Sequence, residues 1–385
     1  MRIRVLLALT AGVLSAQRPL PVNPPTAPLQ PVAASSGASR LLRWKMAYLY
    51  DEDASSLVLH DIHFPSSKCA FALGTQITRG KGKPVALRSL DNGKTWSLSP
   101  LKHHGRSAFF LSDRLGWVVT EDGLARTSDC GGVWERVGRE MGLARVWFRD
   151  EALGWAVGAP KKALTTRDGG RTWTKLTPSN NPTSNAERNV YAWVEFANDK
   201  FGAIVGWHTP QRRDAQFPVW MDPESAQTRR QFPALTLMLQ TLDGGAAWKG
   251  FTVSLMGRMT RLRLAPPGGG LALIEFDESF EYPSEVYRLD AGDKEIRRVY
   301  RHKEHAVTDM AMAPDGWSYL AGVQTPGTIR LPVPGKVKIL RSRDGSVWTE
   351  DPADYRATAN RVYLAKSPDG KLIAATDTGM ILRLE

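Results

Sequence analysis

The sequence of 385 residues has only two cysteines, which excludes a small fold built on a disulfide framework. No run of Lys or Arg is longer than two residues, so the chain has no basic tail of the kind that grips nucleic acid. It also has no Gly-rich phosphate loop and no Gly-x-Ser-x-Gly elbow. We therefore predict no cofactor and no nucleic-acid partner.

Metal ligands are also scarce. The two His-x-x-His pairs are His60/His63 and His302/His305. On a strand, residues three apart point to opposite faces, which spoils the first pair as a chelate. The second pair has no Cys or acidic partner at metal-ligand spacing. We predict no metal site.

Positive charge is present in excess, with a formal net charge of +12. Because the Lys and Arg residues are scattered, this charge must be spread over a folded surface. Such a surface favours acidic partners, although a solubilising charge without a partner is the plain alternative.

The N-terminus has the pattern of an export signal. Residues 1–16 combine Arg2 and Arg4 with a short apolar run and a small-residue end before Gln17. Residues 17–41 are rich in Pro and small residues and predict a flexible linker. No second apolar stretch approaches the ~20 residues of a membrane span. We expect an exported protein that is soluble after signal-peptide cleavage.

One element recurs five times and follows the pattern Ser/Thr-x-Asp-x-Gly-x-Thr-Trp, the last copy being one residue short. Its Asp and Trp residues are Asp91/Trp96, Asp129/Trp134, Asp168/Trp173, Asp243/Trp248 and Asp344/Trp348. An Asp side chain accepts hydrogen bonds from amides just ahead of it, and Gly supplies the positive φ of a tight turn. The Trp is expected to begin the next strand and to pack its ring across the hairpin. We interpret these residues as structural.

Short strand-like runs around each copy give a unit of four antiparallel strands and roughly 40 residues, the size of a propeller blade. Seven first strands are predicted: 57–64, 107–111, 145–148, 190–196, 259–264, 307–313 and 361–365. Residues 42–50 have no blade of their own. Paired as the outer strand of the seventh blade, they would close the ring and remove a free edge. The fold class is therefore an all-β, seven-bladed propeller over residues 42–385, with six or eight blades as alternatives.

Cys69 and Cys130 fall in the first and second predicted blades, at different depths. Export makes a disulfide possible, but this placement favours two free thiols.

Blade four carries an insertion over residues 208–232. It contains Arg212, Arg213 and Trp220, residue types that are enriched at binding hot spots. A contact loop and an inert insertion are both open.

The five repeats, together with Leu-Gly-Trp runs such as Leu115-Gly-Trp117 and Leu153-Gly-Trp155, resemble the BNR/Asp-box propellers. In detail the chain is most similar to the photosystem II stability and assembly factor type over residues 42–385, most closely at 107–177. The resemblance implies a non-catalytic assembly factor, in which an arginine-rich patch contacts a membrane-protein client.

Arginines at aligned first-strand starts are candidates for such a patch: Arg145, Arg261 and Arg361, with Arg106 one residue out of register. First strands line the channel of a propeller, so these guanidinium groups would collect near one mouth and bind carboxylates or phosphates. The alternative is that each arginine pairs with a carboxylate of the blades.

We predict a non-catalytic, monomeric scaffold that presents an Arg-rich face to an acidic or membrane-embedded protein, with peripheral membrane association left open. The alternative is a glycan-binding or sialidase-like propeller. That alternative requires a Tyr–Glu pair or two facing carboxylates beside the arginines in the channel mouth.

Overall fold

The computed structural model describes residues 42–181, 185–209, 234–266, 268–276, 280–289, 296–325 and 334–385. The predicted signal peptide (1–16), the linker (17–41) and the core of the blade-four insertion, with Arg212, Arg213 and Trp220, lie outside these residues. Regular structure in the described residues is almost entirely β-strand, as the repeated pattern of short strands and turns predicts. No described helix is long and apolar enough to cross a membrane.

The chain starts with β1 (Trp44–Leu49), which joins the last blade. Blade one is β2 (Ser55–Ser66), β3 (Cys69–Thr78), β4 (Lys81–Ser89) and β5 (Ser97–Pro100). Blade two is β6 (Gly105–Phe110), β7 (Gly116–Thr120), β8 (Gly123–Thr127) and β9 (Glu135–Gly138). Blade three is β10 (Leu143–Phe148), β11 (Gly154–Gly158), β12 (Lys162–Thr166) and β13 (Thr174–Lys175). Two 3₁₀ turns, η1 (Thr177–Asn180) and η2 (Ala186–Arg188), lead to the next blade.

Blade four is β14 (Asn189–Phe196), β15 (Gly202–His208), β16 (Ala234–Thr241) and β17 (Lys249–Leu255). Blade five is β18 (Arg258–Ala265), β19 (Gly269–Glu275), β20 (Ser284–Leu289) and β21 (Arg297–Arg301). Blade six is β22 (His305–Met312), β23 (Ser318–Gln324), β24 (Gly335–Ser342) and β25 (Thr349–Asp351), with the short β26 (Thr358–Ala359) also paired to β24. Blade seven is β27 (Val362–Lys366), β28 (Leu372–Thr376), β29 (Met380–Leu384) and β1.

The first strands β2, β6, β10, β14, β18, β22 and β27 are neighbours in a closed circle, so the seven antiparallel sheets form a ring. β1 pairs with β29 from Trp44 opposite Leu384 to Leu49 opposite Met380. Trp44 is 1% exposed and fixes this strand in the core. The predicted seven-bladed fold and its closure by the N-terminal strand are confirmed.

Aromatic residues join the blades. A ring from the second strand of one blade packs on the Phe at the end of the first strand of the next blade. Trp117 stacks on Phe148 with ring centroids 3.8 Å apart, and Trp155 lies 4.5 Å from Phe196. A third pair, Phe71 and Phe110, lies 5.2 Å apart, so these aromatic contacts join blades one to four.

The five repeated turns connect the third and fourth strands of their blades. In the third-blade turn, Asp168 accepts hydrogen bonds from the Thr172 amide (2.9 Å) and from the Thr166 and Thr172 hydroxyls (2.7 and 2.6 Å). Gly170 has a φ of 95° and faces Leu124 of the preceding blade, leaving no room for a β-carbon. The turn is therefore both a hairpin closure and a contact between blades.

The tryptophans of the repeats differ from the expectation in one respect, because each stands one position before the fourth strand and does not begin it. Trp173, for example, lies directly before β13. Its ring lies edge-on to Phe148 with centroids 6.3 Å apart, and it packs on the core shared by blades two and three. Its buried indole N–H makes no hydrogen bond to any described residue. Trp173 therefore contributes apolar packing, while the hydrogen bonds that close this turn are made by Asp168.

The same arrangement recurs at the other turns, where the Asp carboxylate accepts turn amides and the Trp packs on a core cluster. The Asp and Trp residues are Asp91 and Trp96, Asp129 and Trp134, Asp243 and Trp248, and Asp344 and Trp348.

The expectation of two free thiols is wrong: Cys69 and Cys130 form a disulfide, with their Cα atoms 5.9 Å apart. Cys130 lies in the blade-two turn, and that turn packs beneath β3 of blade one, where Gly131 faces Phe71. The turn of blade two therefore places Cys130 beside Cys69, a strand residue of blade one. The positions of the two cysteines within their own blades did not reveal this contact.

Alternating strand directions give the ring two faces. The mouth face is the one at which the first strands begin. The turn face carries the five repeated turns. Arg43 and Glu385, whose backbones hydrogen-bond to each other, also lie on the turn face, at the place where a turn of blade seven would be.

Candidate functional site

A bulge recurs in six of the seven first strands, at the same height in each blade. The residue after each bulge points to the channel: Asp61, Ser107, Arg145, Trp193, Arg261 and Asp309. A bulge re-aims a strand's side chains, and here it collects one residue from each of six blades in a single layer.

Trp193 is the centre of this layer. The guanidinium carbons of Arg145, Arg261 and Arg263 lie 3.8, 4.8 and 4.7 Å from its ring centroid. Because Trp193 is only 3% exposed, these cation–π contacts are largely desolvated, which makes them stronger than contacts at an exposed site. Trp193 therefore holds three like charges together.

Three carboxylates join first strands that share no sheet hydrogen bonds. Asp61 accepts the backbone amide of Ala108 in the next blade at 3.0 Å. Glu195 likewise accepts the amide of Leu264 at 3.1 Å. Asp309 accepts the amide of Leu364 at 3.0 Å. Each carboxylate thus connects its blade to the next one and also faces an arginine.

The arginines are neutralised unequally. Arg263 lies 2.9 Å from Asp309 and 3.3 Å from Glu195, which are short, well-formed ion pairs. Arg145, by contrast, lies 3.5 Å from Asp61, and Arg261 lies 3.9 Å from Asp309. Arg145 and Arg261 therefore retain capacity for a further anion.

The pKa shifts of Asp61 and Arg261 reflect the unequal neutralisation of the arginines. Burial alone would raise the pKa of Asp61, but Arg145, His63 and the Ala108 amide hold it below its usual value. Burial lowers the pKa of Arg261; Asp309 opposes the shift, while Arg145 and then Arg361 add to it. An anion placed between these guanidinium groups would relieve their repulsion.

Arg361 and Arg106 form the rim of the mouth. Arg361 bonds Glu275 at 2.9 Å, and its side chain is 37% exposed. Arg106 is the bulged residue of β6, is exposed, and makes no ion pair with any described residue. The rim is thus more accessible than the layer around Trp193.

The structure therefore brings Arg145, Arg261 and Arg361 together, with Arg106 at the rim. It also gives Arg145, Arg261 and Arg361 carboxylate partners from other blades, which the sequence offered only as an alternative. The insertion residues lie outside the described residues. However, β15 ends at His208 opposite Asn189, the start of a first strand, so the insertion leaves from the mouth face.

Trp193, Arg263 and the three carboxylates were missed from the sequence. Arg261 and Arg263 are two apart on one strand, a spacing that places both on the channel side and was available as a signal. No feature of the sequence identifies Trp193 as a channel residue, because its direction depends on the bulge in β14.

A Tyr–Glu hydrogen bond does occur, from the Tyr287 hydroxyl to Glu285 at 2.5 Å. Both residues lie on β20, the third strand of blade five, and not on a channel-lining strand. Glu285 is also bonded by Arg298 at 3.1 Å. This pair therefore stands two strands outward from β18, the strand that carries Arg261 and Arg263.

No protein-family model matches the chain. The photosystem II stability/assembly factor HCF136 of the chloroplast of Arabidopsis thaliana is 30% identical over 96 residues. The match spans 23% of this chain and 23% of that protein, so less than a quarter of the relative's length is covered.

Solved structures show similarity over most of the chain. YCF48 from Cyanidioschyzon merolae has a TM-score of 0.59 and 16% identity, covering 89% of this chain and 98% of its own. YCF48 bound to a D1 peptide has a TM-score of 0.56 and 15% identity, covering 87% and 98%. The extracellular domain of BT4673 from B. thetaiotaomicron has a TM-score of 0.57 and 9% identity, covering 88% and 39%. At these identities the similarity is one of fold: the chain shares the architecture of the YCF48 propellers.

Proposed function

We propose that this protein is a non-catalytic, exported binding scaffold whose channel mouth takes a carboxylate-bearing segment of a protein client. One observation carries the proposal: Arg145 and Arg261 are held together on Trp193 with ion pairs of only 3.5 and 3.9 Å. Two incompletely neutralised guanidinium groups in a partly desolvated layer bind a carboxylate strongly.

The similar proteins support a peptide as the client. One of them is named a stability/assembly factor, and YCF48 has been solved with a D1 peptide bound. We infer that the five repeated turns are Asp-box repeats and that this chain is an assembly factor of the same style, with its rim arginines making the first contact.

The absence of catalysis is inferred from the state of the channel carboxylates. Asp61 and Asp309 each accept a backbone amide of the next blade and face arginines, so their oxygens are committed. A glycosidase acid needs a raised pKa, whereas the pKa of Asp61 is lowered.

Export is supported by the signal-like residues 1–16 and by the disulfide between Cys69 and Cys130, since disulfides persist in oxidising compartments. Residues 17–41 would then serve as the tether of the folded ring.

The test is affinity capture from a solubilised membrane and periplasmic extract, at low salt and at about 300 mM salt. The wild type is compared with a rim variant, Arg106→Gln/Arg361→Gln, and an outer-edge control, Lys249→Gln/Arg297→Gln. Each variant loses two positive charges, and thermal unfolding verifies the fold of all three. A client retained by wild type and control but lost from the rim variant, and released by salt, supports the proposal. Equal retention by the rim variant contradicts it.

A further inference from the structure

Exposed aliphatic side chains are concentrated on the repeated turns. Leu90 is 58% exposed, Val133 65%, Leu242 50% and Val347 70%. These four account for half of the large apolar side chains that are exposed in the described residues. They belong to the turns of blades one, two, four and six, and therefore all lie on the turn face.

The turns do not need these aliphatic residues. Leu90 and Leu242 occupy the position that holds Ser128 in blade two, directly after the Ser or Thr of the repeat. Other copies place arginine at this position, so its side chain points outward and is not fixed by the turn.

Val133 and Val347 stand directly before the Trp of their repeats, where Thr95 and Thr172 stand in blades one and three. Both threonine hydroxyls donate to the turn Asp at 2.6 Å. A valine forgoes that bond and exposes a branched apolar group to water, which costs stability without a structural gain.

The turns occupy equivalent places in their blades. In each, the repeat glycine packs against the preceding blade, as Gly93 does on Ile373 and Gly345 on Val299. The exposed side chains are therefore arranged around the ring, on the same face as the turn aspartates and several positively charged tips. Those tips are Lys94, Arg167, Arg171 and Arg343.

The start of the folded chain lies on this face too. Arg43 and Glu385 hydrogen-bond on the turn face. The predicted linker, residues 17–41, thus joins the ring on the side of the aliphatic tips.

We propose that the turn face is a docking surface for a lipid bilayer, with the four aliphatic tips entering the interfacial region and the neighbouring cations facing lipid phosphates. Small apolar groups beside Lys and Arg suit that environment, while the Asp of each turn is held by hydrogen bonds from the turn itself. The mouth face is then turned away from the bilayer, which leaves the channel open to a client segment that extends from the membrane. The inference is independent of what the mouth binds.

The test uses the chain without the predicted signal peptide, residues 17–385, and vesicles of zwitterionic lipid containing a fraction of anionic lipid. The turn variant Leu90→Ser/Val133→Thr/Leu242→Ser/Val347→Thr takes every replacement from another copy of the repeat, so the fold is preserved. The matched control, Met141→Ser/Tyr355→Ser, removes exposed apolar side chains away from the turn face. These are 62% and 83% exposed in the wild type.

Wild type and control are expected to co-sediment with the vesicles, and the turn variant to bind at least about tenfold more weakly. Equal binding by the turn variant, or no binding by the wild type, overturns the proposal. A turn variant that still binds vesicles but loses a protein partner assigns the face to a protein and overturns it as well.

Discussion

The guanidinium carbon of Arg145, on the first strand of blade three, lies 3.8 Å from the ring centroid of Trp193, on the first strand of blade four. Two further arginines of blade five share the same ring. The channel of this propeller is therefore organised by an aromatic residue that holds together cations which would otherwise repel one another.

Replacing Trp193 by Leu removes the π face that these arginines share. We expect Trp193→Leu to be destabilised by about 3 kcal/mol, from lost cation–π contacts and lost buried volume. Trp193→Phe keeps a π face and should lose clearly less. Chemical denaturation measures both, and an equal loss in the two variants would show that only side-chain volume matters.

Asp309 combines a buried charge, two arginines and two backbone amides. It accepts the amides of Met310 (2.8 Å) and Leu364 (3.0 Å) and pairs with Arg263 at 2.9 Å. Asp309→Asn should cost about 3–5 kcal/mol, because it removes the ion-pair partner of Arg261 and one of the two carboxylates that pair with Arg263. The exposed Asp199→Asn should change the free energy of unfolding by under about 0.5 kcal/mol. A small effect of Asp309→Asn would exclude a stabilising role for this pair.

Two histidines, the buried His305 and the partly buried His63, predict a specific pH dependence of stability. Burial lowers the pKa of His63 to about 4 and that of His305 to about 3, from 6.5. Between pH 6.5 and pH 4 the unfolded chain binds more protons at His63 than the folded chain does. The stabilisation from neutral His63 is therefore fully present above pH 6.5 and decreases as the pH falls toward 4. His63→Phe should flatten this part of the profile of unfolding free energy against pH. A His63→Phe profile with the same slope as the wild type between these pH values would contradict this role.

The aspartates of the repeated turns affect the stability of the protein at lower pH. Burial alone would raise the pKa of Asp91, but hydrogen bonds from Thr95, Ser89 and Lys94 lower it to about 2 from 3.8. The stabilisation is present above pH 3.8 and is lost as the pH falls through about 2. Between pH 3.8 and about pH 2, the unfolding free energy of Asp91→Asn should therefore fall less than that of the wild type. Acid titration of the folded state measures this difference. A profile identical to that of the wild type would contradict this role.

Substitutions of Cys130 separate the effect of the disulfide from the effect of the backbone conformation at this position. It has a φ of 61°, at the position where Gly169 and Gly244 have φ values of 75° and 72° in their turns. Cys130→Gly and Cys130→Ala both lose the disulfide, which costs about 2–4 kcal/mol. The Ala variant should lose roughly 1 kcal/mol more, because Gly adopts a positive φ without strain. Thermal unfolding under oxidising conditions measures the difference, and equal melting temperatures would refute the backbone effect.

The blade count and the ring closure could be predicted because each blade repeats the same turn and strand pattern. Arg145 and Arg261 could be placed in the channel because their strands align in sequence. Their carboxylate partners could not, since Asp61 belongs to blade one and Asp309 to blade six, and the sequence does not show which blades meet at the channel. The disulfide was missed for a related reason: the turn that holds Cys130 folds beneath another blade. Sequence repeats specify what each blade is, while the contacts between blades depend on bulges that no repeat encodes.

The most direct test of the central claim is photo-crosslinking that reports which face meets the client. A photoreactive side chain is placed at Asn360, beside Arg361 on the rim of the mouth, or at Ser128 on the turn face; both positions are exposed. Our account predicts client adducts from position 360 that are lost when Arg106→Gln/Arg361→Gln is introduced, and none from position 128. Client adducts from position 128 alone would contradict it.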